Sequence, residues 1–142
     1  MSQPQKGYVL QPGAGVDGDG SVKANGASTG GVITLIESVT DGGAPLHVHE
    51  HDDECFYVID GTLSVRIADE TYEAPGGSFV FLPRRVPHAW DVVGGPGATA
   101  TVLLITVPAG LDAFLHRFHA ASGPAERDAV SRAHGITFLP ET

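Results

Sequence analysis

In PLHVHEHDDECFYVIDG (45–61), histidines stand at 47, 49 and 51, and acids fill positions 50, 52, 53 and 54. Imidazole nitrogens and carboxylate oxygens are ligands for divalent transition ions, so the chemistry within reach is metal binding. In an extended segment, side chains two apart share a face. His47 and His49 therefore project together, with Cα atoms about 6–7 Å apart. Glu54 lies an odd number of positions from both, so its joining them requires a turn or bulge within EHDD (50–53). From there on, Glu54, Phe56 and Val58 share one face, and Cys55, Tyr57 and Ile59 the other. A His-x-His pair alone is a weak signal, because histidines also sit on solvated strands.

A fourth nitrogen is available downstream. In GGSFVFLPRRVPHAWDVV (76–93), His88 opens an extended run after a loop fixed by Pro83 and Pro87. Trp90 shares its parity, as Phe56 shares that of Glu54, so both aromatics are expected to face the same interior. They read either as an aromatic wall for a planar substrate or as ordinary core. His51 has the parity of His49, but its acidic surroundings favour a solvent-facing loop residue. Cys55 points away from the ligand face and reads as a small buried hydrophobe. Arg84 and Arg85 lie near the expected mouth, where a structural ion pair is the commoner role. His116, His119 and His134 receive no chemistry.

The elements that must position these groups are short. Nineteen glycines and ten prolines separate β-rich runs across 142 residues, the composition of an all-β domain with many turns. Strands are expected at 21–24, 32–39, 56–59, 63–67 and within 68–77, 78–83, 88–93 and 98–107. Asn25-Gly26 and Asp60-Gly61 read as turns. Val32, Ile33, Leu35, Ile36 and Val39 are too apolar for a face open to water, so both faces of that strand are expected to be covered. Leu111, Phe114, Leu115 and Phe118 then take i, i+3, i+4, i+7 spacing, an amphipathic helix expected to bury against the barrel. A second short helix closes at Gly135. The organisation read from this is an irregular arm at 1–20, a β-rich unit at 21–108 and a helical tail at 109–142.

Bulk properties remove whole classes of function. A net charge of −9 argues against a phosphate-binding surface and so against nucleic acid. The longest apolar run, Val102 to Val107, is far short of a membrane span of ~20 residues. A single cysteine allows no intrachain disulfide and fits a reducing, cytoplasmic setting. MSQPQKGYVLQPGAG (1–15) does not read as a signal peptide.

His47-x-His49, four residues, Glu54, six residues, Gly61 resembles the first motif of the cupin family, and Gly77, five residues, Pro83, four residues, His88 resembles the second. The glycine expected six residues before His47 is Asp41 here, with Gly42 and Gly43 beside it. The glycine expected two residues after Pro83 is Arg85, and the final asparagine is Val92. These departures fall on turn positions and on a non-ligand. STGGVITLIE (28–37), FVFLPRRVPHAW (79–90) and PAGLDAFLHRF (108–118) are further similar to small bacterial monocupins grouped with quercetinase-like flavonol dioxygenases.

The resemblance implies a cupin double-stranded β-helix, or small jelly-roll barrel, with a short C-terminal helical tail. It implies that His47, His49, Glu54 and His88 line the interior around one divalent transition metal (Fe, Mn, Ni, Co or Zn). Phe56 and Trp90 would form the substrate pocket. Glu54 would also be catalytic, taking a proton from a bound hydroxyl. Pairing as a homodimer through outer strands would cover the second faces of 32–39 and 102–107. Three functions fit such a site: a metal-dependent dioxygenase on a flavonol-like or other enolic or aromatic small molecule, a non-oxidative isomerase or polyketide-type cyclase, and a small-molecule binding protein. The expectation is the first, with a small-molecule substrate and dioxygen as partners.

Overall fold

Glycine- and proline-bounded runs of β-branched and aromatic residues pair into two five-stranded antiparallel sheets in the computed structural model, which describes residues 3–140. In chain order the elements are β1 (Val22–Ala24), α1 (Gly26–Thr29), β2 (Thr34–Thr40), β3 (Ala44–His49), β4 (Asp53–Asp60), β5 (Thr62–Ile67), β6 (Glu70–Pro75), β7 (Phe79–Leu82), β8 (His88–Val92), β9 (Ala100–Val107), α2 (Leu111–Ala120), α3 (Pro124–Ala133) and β10 (Ile136–Phe138). One sheet runs β1-β2-β9-β4-β7 and the other β10-β3-β8-β5-β6. Packed face to face, they form the small jelly-roll barrel of a double-stranded β-helix, with short helices after the last long strand. Residues 3–21 form turns and irregular backbone.

Alternation decides what lies between the sheets. Leu63 and Val65 from β5, Phe56 and Val58 from β4, Leu82 from β7 and Val102 from β9 point inward and are almost wholly buried. Asp60-Gly61 makes the β4–β5 turn, with Gly61 at φ 84°, a backbone state a side chain disfavours.

A second core ties the tail down. Leu111 and Phe114 of α2 and Val130 of α3 pack with Val22, Ile36 and Ile136. The buried Thr34 hydroxyl donates to Asp112 (2.9 Å) and accepts from the Gly110 N–H (3.0 Å), fixing the start of α2 on β2. The tail also adds a strand: β10 pairs with β3, setting Ile136 opposite His49 and Phe138 opposite His47. No helix among the described residues is long and apolar enough to cross a membrane.

Two local expectations are corrected. Asn25-Gly26 is not a hairpin turn. Asn25 caps α1, its side chain accepting from the Ser28 N–H (2.9 Å) while Ser28 Oγ accepts from the Asn25 N–H (3.0 Å), a reciprocal capping box. A helix fits because the chain must travel before Ala24 can pair with Leu35. The second face of 32–39, expected to be covered by a partner, is open in the single chain, where Val32 and Val39 are 60% and 70% exposed. Cys55 is half-buried rather than buried, because it lies on the outer sheet face between Phe81 and Ile105.

Candidate metal centre

Two local irregularities bring the four side chains together. Pairing between β3 and β8 slips between Ala44 and His47, so that His47 stands directly opposite His88. Both Leu46 and His47 are buried as a result, as a bulge allows. The odd spacing between His49 and Glu54 is absorbed by residues 50–52, which leave β-structure between β3 and β4. This connection is pinned at both sides: the Glu50 N–H donates to the Gly135 carbonyl (2.8 Å), and the Arg85 N–H donates to the His49 carbonyl (2.7 Å). Glu54 belongs to the other sheet and faces the three imidazoles across the barrel.

Each of His47, His49, Glu54 and His88 is buried, and each offers one ligand atom within 4.8 Å of the others. The imidazole rings of His47 and His88 lie 4.3 Å apart, and those of His49 and His88 are stacked at 5.4 Å. Hydrogen bonds fix which nitrogen is free. His47 Nδ1 donates to the Pro45 carbonyl (2.7 Å), and His88 Nδ1 faces the Val86 carbonyl (3.4 Å). A carbonyl can only accept, so Nδ1 carries the proton and the neutral ring presents its Nε2 lone pair inward. His49 Nδ1 is held by the Asp52 carboxylate (3.1 Å). This outer anchoring is what metal-binding imidazoles require.

The cluster fits a cation better than it fits itself. His49 Nε2 lies 3.7 Å from one Glu54 oxygen and His88 Nε2 3.5 Å from the other. Those separations give Coulombic attraction without a good hydrogen bond, and His88 Nε2 is buried without a hydrogen-bond partner. A buried orphan acceptor is costly, and a metal ion would satisfy it together with its three neighbours. Three neutral imidazoles and one carboxylate suit Fe, Mn, Ni, Co or Zn.

The electrostatics point the same way. Burial, with the nearby His88, pushes His47 down to about 4, so it is neutral at ordinary pH. Burial also disfavours charge on His49, but its bond to Asp52 and the Glu54 charge outweigh this and raise its pKa. Burial works against the Glu54 carboxylate too. The imidazoles around it, His88 first, prevail and hold its pKa low, so it stays anionic.

A cavity of about 420 Å³ opens beside the cluster. Phe56 and Trp90 both line it, their rings edge to face at 5.1 Å. A shallow hollow of similar size at Ser64, Arg66 and Asp91 contains none of the four cluster residues. His51 is exposed and lies outside the cluster, its ring covering Gly135 so closely that a Cβ there would fall 2.4 Å from it. Arg84 pairs with Asp53 (3.2 Å). Of the tail histidines, His116 and His119 are exposed, and His119 reaches the cavity rim. His134 is bonded to Arg117 (3.1 Å).

Sequence reasoning missed two contributors. Asp52 anchors His49, and its only sequence signal is an acid three residues after a candidate ligand. The tail supplies one wall of the cavity through Leu115, Phe118 and Phe138. The helical spacing of Leu115 and Phe118 showed an apolar face but not what it covers, and Phe138 lies on β10.

The cupin-domain family model matches residues 35–106, a segment that contains all four cluster residues. Quercetin 2,3-dioxygenase of Bacillus subtilis (strain 168) is 35% identical over 72 residues, which cover 49% of this chain and 21% of that protein. The chain thus matches about a fifth of that relative's length. Among solved structures, KdgF from Halomonas sp. aligns with a TM-score of 0.53 at 17% identity, covering 65% of this chain and 79% of its own. An RmlC-like cupin from Shewanella frigidimarina NCIMB 400 aligns with a TM-score of 0.50 at 18% identity, over 58% and 71% of the two chains. At such identities the likeness is one of fold.

Proposed function

The chain belongs to the cupin family, and on that premise we propose that it is a metal-dependent dioxygenase acting on a flavonol-like or other enolic or aromatic small molecule. The observation that carries this reading is the buried His47–His49–Glu54–His88 cluster opening directly into an apolar, aromatic-walled cavity. The partial likeness to quercetin 2,3-dioxygenase supports the choice of reaction. When bound, a divalent ion supplies a Lewis acid that lowers the pKa of a substrate hydroxyl and leaves coordination positions for small molecules. His47, His49, His88 and Glu54 would hold it.

The remaining work falls to protein groups. Phe56 and Trp90 hold the flat ring so that its hydroxyl points at the cluster. Glu54 accepts the hydroxyl proton on a carboxylate oxygen, because it is the only anion lining the cavity among the described residues. The apolar walls keep bulk water from the deprotonated, electron-rich substrate. That substrate is itself what dioxygen oxidises, and both oxygen atoms enter the product, so no external reductant is needed.

The test supplies flavonols and related enediols to protein reconstituted with Fe, Mn, Ni or Co and follows dioxygen uptake. Glu54→Gln should lower turnover more than metal content. Absence of uptake with every metal, alongside metal-dependent isomerisation or cyclisation of another substrate, would replace the dioxygenase reading with a non-oxidative one.

In the same reading the molecule is a cytoplasmic homodimer. Val39, Tyr57, Phe79 and Phe81 are 70%, 42%, 64% and 50% exposed on the outer face of the β2-β9-β4-β7 sheet, and a second copy would cover them. Light scattering should give twice the chain mass, and a monomer at micromolar concentration would end that assignment.

A further inference from the structure

The cavity over the cluster has two unlike walls. The barrel supplies Phe56, Trp90, His47, His49 and Glu54, and the tail supplies, among others, Leu115 and Phe118 of α2 and Phe138 of β10. These tail residues lie outside the segment that matches the family. Leu115 and Phe118 reach the cavity from the edge of the second core, against which both pack. Leu111 and Phe114 are buried in it, whereas Leu115 and Phe118 are only half-buried and Phe138 is 42% exposed. All three line the cavity. At ~30 Å³ per molecule, its 420 Å³ corresponds to about 14 waters, set against a lining that is mostly apolar side chains. A flat apolar molecule would release that water favourably. Phe138 lies 5.6 Å from the His47 ring and 5.9 Å from Phe118, so an aromatic surface runs from a ligand residue outward along the tail. No lysine or arginine lines the cavity among the described residues, so no permanent cation waits to pair with a charged group at the outer end of a ligand.

We propose that Leu115, Phe118 and Phe138 are the specificity-determining residues of this site, selecting an uncharged, flat aromatic molecule of two or three rings. The proposal rests on the metal-site reading above for the orientation of the ligand, hydroxyl end toward the cluster, and not on the reaction that follows. Selectivity thus resides in the tail, and the metal in the barrel.

Trp90 is the single tryptophan of the chain and lines the cavity, so its fluorescence reports occupancy without turnover. The experiment titrates chelator-stripped and zinc-loaded protein with 3-hydroxyflavone and with a derivative sulfonated on the pendant ring. The expected result is saturable quenching by 3-hydroxyflavone and at least tenfold weaker binding of the sulfonate. Phe118→Ala and Leu115→Ala should weaken 3-hydroxyflavone about tenfold at unchanged zinc content. Phe118→Leu, which keeps most of the packing, should give a smaller loss and serves where the alanine variant folds poorly. Leu115→Lys should close the gap between the two probes. Equal binding by wild type and both Phe118 variants, equal binding of the sulfonate, or no saturable binding would each overturn the proposal. Wall-dependent binding without dioxygen uptake by any loaded form would remove the dioxygenase reading and leave this one standing.

Discussion

Removing Asp52 should weaken metal binding by an amount the geometry sets. Main-chain carbonyls orient two of the three imidazoles, Pro45 for His47 and Val86 for His88, and no substitution deletes them. His49 alone is aimed by a side chain, the Asp52 carboxylate at 3.1 Å. That side chain is only 17% exposed, so its hydrogen bond is not fully screened. Loss of an outer-shell partner costs about 10–100-fold in metal affinity. Asp52→Asn keeps an acceptor oxygen and loses the charge, so about tenfold is expected, or ~1.4 kcal/mol. Asp52→Ala frees the ring and should approach 100-fold, or ~2.7 kcal/mol. Asp52 also raises the pKa of His49, which lets protons compete with metal at lower pH. Measuring at about pH 8, by competition with a chromophoric zinc chelator, suppresses that opposing effect. Asp53→Ala removes a neighbouring charge that faces Arg84 instead, and His51→Ala removes a ring outside the cluster. Both should bind zinc within about twofold of wild type. Wild-type affinity in Asp52→Ala, or an equal loss in Asp53→Ala, would refute the reasoning.

The chelator-stripped protein should lose stability as pH falls from 6.5 toward 4. His47 sits at about 4 against an ordinary 6.5, so its contribution is complete above 6.5 and fades as the unfolded chain takes up a proton the folded one refuses. That is worth up to about 3 kcal/mol. The lowered Glu54 acts in the same direction further down. The raised His49 acts oppositely, contributing below 6.5 and fading as pH rises through its folded value. Denaturant melts of wild type and His47→Asn check this: the variant should show the flatter slope, and identical slopes would contradict it. Arg85→Gly should be stabilising, because Arg85 holds φ 66°, a left-handed state costing ~1–2 kcal/mol in an ordinary residue. Glycine's unfolded-state entropy returns ~0.5–1 kcal/mol of that. The bond to the His49 carbonyl is main-chain and survives, so Tm should rise by about 2 °C, and a fall in Tm would contradict the strain assignment.

Arg85 also shows how much the sequence revealed. It stands where the family pattern has glycine, and its backbone takes the conformation glycine prefers. The pattern therefore recorded a backbone requirement that this chain meets with strain. Parity along β3 and β4 was legible in the same way. His47 with His49, and Glu54 with Phe56, follow from a period of two, and the odd gap between them announced the break at 50–52. What stayed hidden depended on partners distant in sequence. Cys55 looked buried because apolar type alone does not say whether another surface arrives. Asp52 looked like one acid among four until the loop turned it back on His49. The tail's apolar stripe was plain, but its position over the cluster depends on β10 finding β3.

That last pairing has a consequence for how the molecule is made. β3 carries His47 and His49, and one edge is closed by β8 and the other by β10, roughly 90 residues further along the chain. At about 5–20 residues per second on the ribosome, the edge that awaits β10 stays unpaired for about 5–20 s after the histidines emerge. An unpaired strand edge is a template for other chains. A product cut before Ile136 would therefore be a sticky nascent species, prone to co-aggregate with its siblings, rather than a barrel with an uncovered mouth.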